Sequence, residues 1–137
     1  HENIYACGDC TNHPNKLLNE NLRLESVHNA MEQSKTVASS ILNVPIEYSQ
    51  VPWFWSDQYD HKLQIVGLSG NHDTVTMRGD MSESKFMLFY SKNQELLAVD
   101  SINNPKEFLI SRKLVEKKVK IDSEMIADPT TDLNKLI

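Results

Sequence analysis

The feature that most constrains the fold is a series of short runs between His61 and Ile102 in which apolar and polar residues alternate. A period of two is typical of half-buried strands. Residues suited to turns separate the runs, and a short polar turn joins the last two as in a hairpin. The predicted strands are 61–68, 74–78, 85–91 and 96–102. Because they follow one another at short spacing, the region is predicted to be an antiparallel meander.

Before this region, apolar residues recur at helical spacing over residues 24–42 and predict one helix. Its N terminus is predicted near Ser26 and Val27. Free backbone N–H groups at such a helix start could hold an anionic or electron-rich edge of a ligand, or the helix could simply cover a sheet. Residues 11–21 and 45–51 are predicted to be a polar loop and a linker.

After the strands, a second helix is predicted to begin at Asn104. Asn104 would cap it, Pro105 suits the first helical position, and Glu107 would reach back to the cap. The basic residues near its end are predicted to form a solvated face. Asp122 and Thr131 are predicted to cap two short final turns.

A second notable feature is the aromatic stretch from Pro52 to Tyr59, which holds both tryptophans of the chain. Pro52 fixes one backbone angle and favours an extended residue before it, so the aromatic residues are predicted to lie in an extended segment or a tight corner. Rigidly held rings suit the covering of a planar cofactor or the anchoring of a protein interface. Ordinary core packing is the alternative.

The bulk properties narrow the class of protein. The chain has 137 residues, a net charge of -5 and a pI near 5.5. This balance argues against a general nucleic-acid binder and gives no polybasic signal for a membrane surface. The sequence shows no apolar run of membrane-spanning length and no signal peptide, so a cytoplasmic location is predicted.

The N-terminal segment from Asn3 to Cys10 is predicted to be a strand that ends in Gly8 and Asp9. A lone strand cannot bury itself, which suggests that the chain is a C-terminal piece of a longer protein. An aspartate after a strand is placed where α/β sheets bind ligands, although a turn is the commoner meaning of Gly-Asp. Cys7 and Cys10 have C-x-x-C spacing, but zinc needs two more ligands. We therefore predict reduced thiols and no metal site.

Several motifs in order resemble one family, the FAD-dependent NAD(P)H:ferredoxin or rubredoxin reductases of the oxygenase-coupled type within the pyridine nucleotide-disulfide oxidoreductase superfamily. The resemblance covers nearly the whole chain. It is carried by Ile4-Tyr5-Ala6-Cys7-Gly8-Asp9, Glu25-Ser26-Val27-His28-Asn29-Ala30, Pro52 to Tyr59, Leu63 to Leu68, Val75 to Asp80, Phe89-Tyr90, and Ala98 to Asn103 with Pro105 and Phe108.

The resemblance implies roles for five cofactor-binding residues, with no catalytic residue among them. Asp9 of the Gly8-Asp9 pair would accept a hydrogen bond from the ribityl chain of FAD. Ser26 and Val27 would lie at the pyrimidine edge of the flavin, where Val27 would offer its N–H to the ring. Trp55 would lie beside the isoalloxazine, near the docking face for an iron–sulfur partner, a ferredoxin or rubredoxin.

The same resemblance implies a division of the chain. Residues 1–45 would be the remnant of an FAD-binding domain, and residues 46–137 a complete C-terminal domain. The fold class is then α+β, an antiparallel sheet with C-terminal helices preceded by one strand and one helix. Because the FAD fingerprint and the NAD(P)-binding domain are absent from this sequence, the chain alone is predicted to be inactive. The alternative is a stand-alone interaction or dimerisation module with an aromatic docking patch, and a homo-oligomer is possible.

Overall fold

The computed structural model describes residue 1 and residues 4–137. Their contacts group them into two units, His1–Phe54 and Trp55–Ile137. The strands and helices follow in the order β1 (His13–Asn15), β2 (Glu20–Leu22), α1 (Val27–Ile41), β3 (Trp53–Gln58), β4 (His61–Gly67), β5 (Thr74–Asp80), β6 (Lys85–Lys92), β7 (Glu95–Ile102), α2 (Pro105–Glu116), α3 (Ser123–Ala127) and a 3₁₀ helix (Leu133–Leu136).

Five strands form one antiparallel sheet in the order β3-β4-β7-β6-β5. The hairpins β5–β6 and β6–β7 form a meander of three strands, whereas β4, predicted to be the first strand of a four-strand meander, pairs antiparallel with β7 instead of β5. The chain therefore crosses from β4 to the far edge of the sheet before it returns through the hairpins. The α+β fold class is confirmed, and the aromatic stretch is extended, as expected, because it forms the edge strand β3.

One face of the sheet carries the core of the second unit. Met87 and Phe89 of β6 and Val99 of β7 are fully buried on this face. The helices α2 and α3 pack against the sheet and contribute Phe108 and Ile126, which are also fully buried. Each such side chain stabilises the folded state by about 1.5–3 kcal/mol relative to exposure.

The end of β4 approaches its neighbour so closely that only glycine fits. Gly67 has a φ of +79°, in the region that side chains disfavour. A Cβ atom built at this position would lie 2.0 Å from the carbonyl oxygen of Leu97. The sequence Val66-Gly67 therefore lets β4 and β7 pair up to the last residue of β4.

In the first unit, the observed helix Val27–Ile41 is shorter than the predicted helix over residues 24–42. The predicted N-terminal strand is wrong for the described residues 4–10. Asn3 lies outside the described residues. The N–H of Ile4 donates to the carbonyl of His1 at 3.2 Å and so joins no strand ladder, and a turn begins at Gly8, whose carbonyl accepts from the N–H of Thr11 at 3.0 Å. In place of the predicted loop over residues 11–21, β1 and β2 form a small antiparallel hairpin that extends to Leu22.

Three local predictions in the second unit need correction. Gly79 and Asp80 do not break the strand, because both still pair with β6. Asn104 stands at the N-cap of α2, but its side chain donates to the carboxylate of Glu107 at 2.7 Å and caps no backbone N–H. Asp122 caps α3 as predicted, whereas the 3₁₀ helix is capped by Asp132 instead of Thr131.

Candidate functional site

The Gly8–Asp9 turn lies against the start of α1. Gly8 is buried with a φ of +84°, and a Cβ atom added there would stand 3.7 Å from the Cβ of Ala30. Asp9 is exposed, and its main-chain carbonyl accepts a hydrogen bond from Arg23 at 3.3 Å. The turn thus fixes the Asp9 backbone while its carboxylate stays available to a ligand.

The N terminus of α1 offers a hydrogen-bond donor beside this turn. Ser26 is the N-cap, and its hydroxyl accepts from the N–H of Asn29 at 3.1 Å. The N–H of Val27, the first helical residue, has no partner within the described part of the chain, as helix geometry requires of the first turn. The Val27 side chain is 56% exposed and adds apolar surface next to this donor.

These four residues suit the group that the resemblance implies. A free N–H at a helix start favours an electron-rich acceptor, such as a carbonyl of the flavin pyrimidine ring. The Asp9 carboxylate can accept from a ligand hydroxyl, such as those of the ribityl chain. The first unit therefore places the turn of Gly8 and Asp9 against the helix whose start carries Ser26 and Val27, so that it offers one acceptor and one donor of the kinds that FAD can use.

Trp55, the fifth candidate, lies in the second unit on β3 and is 39% exposed. Phe54 beside it is 36% exposed, and Tyr59 in the turn after β3 is fully exposed. Trp53, in the first unit, stacks at a tilt on His28 with a centroid distance of 5.6 Å. The aromatic stretch is thus divided between packing and surface, and Trp55 belongs to its surface part.

The described residues give no support for a metal site or a membrane span. No group of three or more His, Cys, Asp or Glu side chains comes together among residue 1 and residues 4–137. Cys7 and Cys10 are both exposed and free, and the Cys10 thiol bonds the carbonyl of Cys7 at 3.6 Å. In that same part of the chain, no helix combines the length and apolar character needed to cross a bilayer.

The sequence did not reveal a buried arginine that joins three elements of the second unit. Arg78 on β5 is 3% exposed, and its guanidinium bonds Glu107 of α2 at 2.6–3.1 Å. It also donates to the main-chain carbonyls of Ile126, Asp128, Pro129 and Thr131. An arginine at a strand position usually faces water, so only the tertiary structure identifies this one as structural.

A second unforeseen pair lies on the sheet face opposite the core. The phenol of Tyr90 on β6 donates to the carboxylate of Asp100 on β7 at 2.8 Å, and His72 meets the Tyr90 ring edge-on. Burial, with the Asp100 hydrogen bond, raises the pKa of Tyr90 to about 12. Burial also raises the pKa of Asp100, although the Tyr90 hydrogen bond partly opposes this change.

The five-stranded antiparallel sheet and its helices form an α+β domain. The fold is shared with an FAD-dependent pyridine nucleotide-disulphide oxidoreductase from Desulfovibrio vulgaris, at a TM-score of 0.72, 13% identity, and coverage of 97% of this chain and 37% of that one. The chain belongs to the reductase C-terminal family, whose model matches residues 53–137.

Similar proteins are ferredoxin reductases. The chain is 39% identical to the 5,5'-dehydrodivanillate O-demethylase ferredoxin reductase subunit of Sphingobium sp., over 97% of this chain and 32% of that protein. It is 34% identical to putidaredoxin reductase of Pseudomonas putida, over 98% and 32%. This chain therefore spans about a third of the length of these relatives.

Solved structures agree with the sequence comparison. A ferredoxin reductase from Rhodopseudomonas palustris matches with a TM-score of 0.90 and 38% identity, over 96% of this chain and 33% of that one. Putidaredoxin reductase in its covalent complex with putidaredoxin matches with a TM-score of 0.88 and 34% identity, over 97% and 32%. The recognition made from the motifs is confirmed at the level of the family.

Proposed function

We propose that residues 1–137 are the C-terminal third of an FAD-dependent reductase that passes electrons from NAD(P)H to a ferredoxin or rubredoxin in the cytoplasm. The observation that supports the proposal is the family match over residues 53–137. Nearly the whole chain is also similar to relatives that are ferredoxin reductases. In this proposal residues 1–45 complete an FAD-binding domain and residues 46–137 form the C-terminal domain.

FAD, when bound, supplies the redox chemistry that couples a two-electron donor to a one-electron acceptor. The residues of this chain bind and orient it. The Val27 N–H, favoured by the dipole of a 15-residue helix, stabilises negative charge at the pyrimidine edge. The Asp9 carboxylate accepts from the ribityl hydroxyls, and Gly8 allows the turn that presents it. Trp55 shields the ring from water and contributes to the surface that meets the iron–sulfur partner.

The chain by itself is proposed to bind FAD weakly and to have no NAD(P)H oxidation activity. The dinucleotide-binding fold that surrounds most of the cofactor in this class is not among its elements in the described residues. Purified chain should therefore elute from gel filtration without flavin absorbance. Chain that keeps a stoichiometric yellow chromophore through the column would contradict this.

The experiment that tests the residue roles uses the longer protein that contains this sequence. Asp9→Ala should weaken FAD binding by about tenfold to a hundredfold, as expected for the loss of a charged hydrogen bond of about 1.5–3 kcal/mol. Asp60→Ala is the matched control, because Asp60 is exposed in the turn after β3. Equal flavin affinity in the two variants would refute the role of Asp9.

A stand-alone interaction module is the second candidate, favoured by the exposed rings of Phe54, Trp55 and Tyr59. It predicts self-association of the purified chain that Trp55→Ala abolishes, with no flavin dependence in any longer protein. Light scattering on the chain and the flavin titration above distinguish it from the reductase.

A further inference from the structure

A buried glutamine stands behind the Gly8–Asp9 turn. Gln33 of α1 is 5% exposed, and its Oε1 accepts from the Gly8 N–H at 2.7 Å and from the Thr11 hydroxyl at 2.9 Å. Its Nε2 lies 2.8 Å from Nδ1 of His13 on β1. One side-chain amide therefore holds the turn on one side and contacts an imidazole on the other.

The chemistry of Gly8 fixes the orientation of this amide. A backbone N–H can only donate, so the Gln33 atom that faces it must be the oxygen, and the NH₂ group must face His13. His13 Nδ1 is then the acceptor, which requires a neutral ring with its proton on Nε2. A doubly protonated ring would oppose two donors at 2.8 Å.

One ring contact and two hydrogen bonds lead from His13 to the start of α1. The His13 ring meets the ring of Tyr48 edge-on at a centroid distance of 4.8 Å. The Tyr48 hydroxyl donates to Oδ1 of Asn29 at 2.9 Å, and the Asn29 N–H donates to the Ser26 hydroxyl. The turn that carries Asp9 and the helix start that carries Val27 are thus joined through one set of side chains in the first unit, of which Gln33 and Asn29 are buried and the others half-buried.

We propose that Gln33 is a positioning residue that holds the Gly8–Asp9 turn in place only while His13 is neutral. The conformation of the turn then depends on pH. Protonation of His13 forces the Gln33 amide to rotate or withdraw, and the Gly8 N–H then loses its acceptor. The consequence for FAD rests on the proposed function, whereas the coupling of His13 to Gly8 does not.

The groups around His13 support protonation of its ring at mildly acidic pH. Opposite it on β2 is the apolar Leu22, the Tyr48 ring contacts its ring, and Glu32 of α1 acts electrostatically on Tyr48. The pKa of Glu32 is lowered by its Lys35 hydrogen bond, and the pKa of Tyr48 is raised by burial, so neither titrates near neutrality. Burial lowers the pKa of His13 below its ordinary value of 6.5. The hold on the turn should be complete above that pH and be lost as pH falls through the folded-state pKa.

The test is NMR on the 137-residue chain, because both partners lie in its first unit. The imidazole titration of His13 and the hydrogen-exchange protection of the Gly8 amide are followed together. We expect protection to fall about fivefold, as for one lost neutral hydrogen bond, with the midpoint of the His13 titration. Protection that does not change as His13 titrates would overturn the proposal.

The variant Gln33→Glu sharpens the test without removing the side chain. One carboxylate oxygen can still accept from Gly8, while the other faces His13 and favours its charged form. The His13 midpoint should rise by at least one pH unit, a tenfold change in proton affinity. Gln58→Glu, at an exposed position on β3, is the control and should leave the midpoint unchanged. An unchanged midpoint in Gln33→Glu would also overturn the proposal.

The coupling of His13 to Gly8 and its consequence for FAD binding can be tested separately. In the longer protein, flavin affinity should fall at pH values below the His13 midpoint, and this fall should be smaller in Gln33→Glu, because its carboxylate can still accept from the Gly8 N–H when His13 is charged. If the longer protein binds no FAD at any pH, the proposed function fails while the coupling seen by NMR stands. If it binds FAD and shows no coupling by NMR, the positioning role fails alone.

Discussion

Replacement of Arg78 by methionine should destabilise the second unit more than any surface change. The substitution removes a cation that is 3% exposed and leaves the Glu107 carboxylate and four main-chain carbonyls without their donor. Loss of one partner of a buried ion pair costs about 3–5 kcal/mol. Because the Glu107 side chain is 26% exposed and can be partly hydrated, we expect about 3 kcal/mol.

The loss of Arg78 and the loss of the Glu107 charge should lower the free energy of unfolding by different amounts. Glu107→Gln keeps an acceptor for the guanidinium and leaves its four carbonyl partners in place, so it should cost about 1–2 kcal/mol. Arg78→Met should therefore cost more than Glu107→Gln. The double variant should cost less than the sum of the two single variants, because the two groups act on each other.

The assay is urea unfolding followed by far-UV circular dichroism, with hydrogen exchange of β5 and β6 amides to isolate the second unit. Lys62→Met is the matched control in the same unit, since Lys62 and Asp57 form an exposed pair at 3.5 Å. It should change the free energy of unfolding by about 0–1 kcal/mol. If Arg78→Met and Lys62→Met are equally mild, Arg78 does not hold these elements together and the reasoning is refuted.

Three further changes test other local claims. Tyr90→Phe leaves the half-buried Asp100 carboxylate without its donor and should cost about 1–3 kcal/mol. Since a raised tyrosine pKa adds stability below pH 10 that is lost as pH rises through about 12, the alkaline loss of stability should also be smaller in this variant. Gly67→Ala should cost at least about 2 kcal/mol, because its Cβ would collide with the Leu97 carbonyl at positive φ, and an equal melting temperature would contradict this. Ser26→Ala removes the cap of α1 and should cost about 1 kcal/mol, measured as lower amide protection in its first turn.

Local sequence patterns predicted much of the fold. The period of two placed β4 to β7 within two residues of their observed ends, and the helix signals placed Ser26 at a cap and Pro105 at a first position. These features depend on neighbours along the chain, so a single sequence contains their causes. The antiparallel sheet follows from the short turns between the predicted strands.

Features that depend on distant partners were not predictable in this way. On β5, the alternation favours burial of Val75 and Met77, yet these are 48% and 45% exposed, and Thr76 and Arg78 are buried. The partners that make this possible follow Arg78 by 29 to 53 residues. The crossing from β4 to the far edge of the sheet is equally invisible to local patterns, because either edge satisfies the same alternation.

The candidate site shows the same division. The motifs pointed to Gly8, Asp9, Ser26 and Val27, which lie together in the first unit, because a turn and a helix start have local signatures. The hydrogen bonds of Gln33, which hold the turn in place, were not predicted. Gln33 reaches back 25 residues to Gly8 and 20 residues to His13, and neither contact has a sequence signal. The roles of the site residues stay predictions until flavin binding is measured.

The most direct test of the account is electron transfer by the longer protein that contains residues 1–137. Purified protein is mixed with NADH or NADPH, cytochrome c, and a ferredoxin or rubredoxin from the same source, and cytochrome c reduction is followed with and without the iron–sulfur protein. The account predicts a flavin spectrum and a rate that depends on the iron–sulfur protein. A folded longer protein that binds no flavin, or a flavoprotein whose rate ignores every iron–sulfur partner, would contradict it.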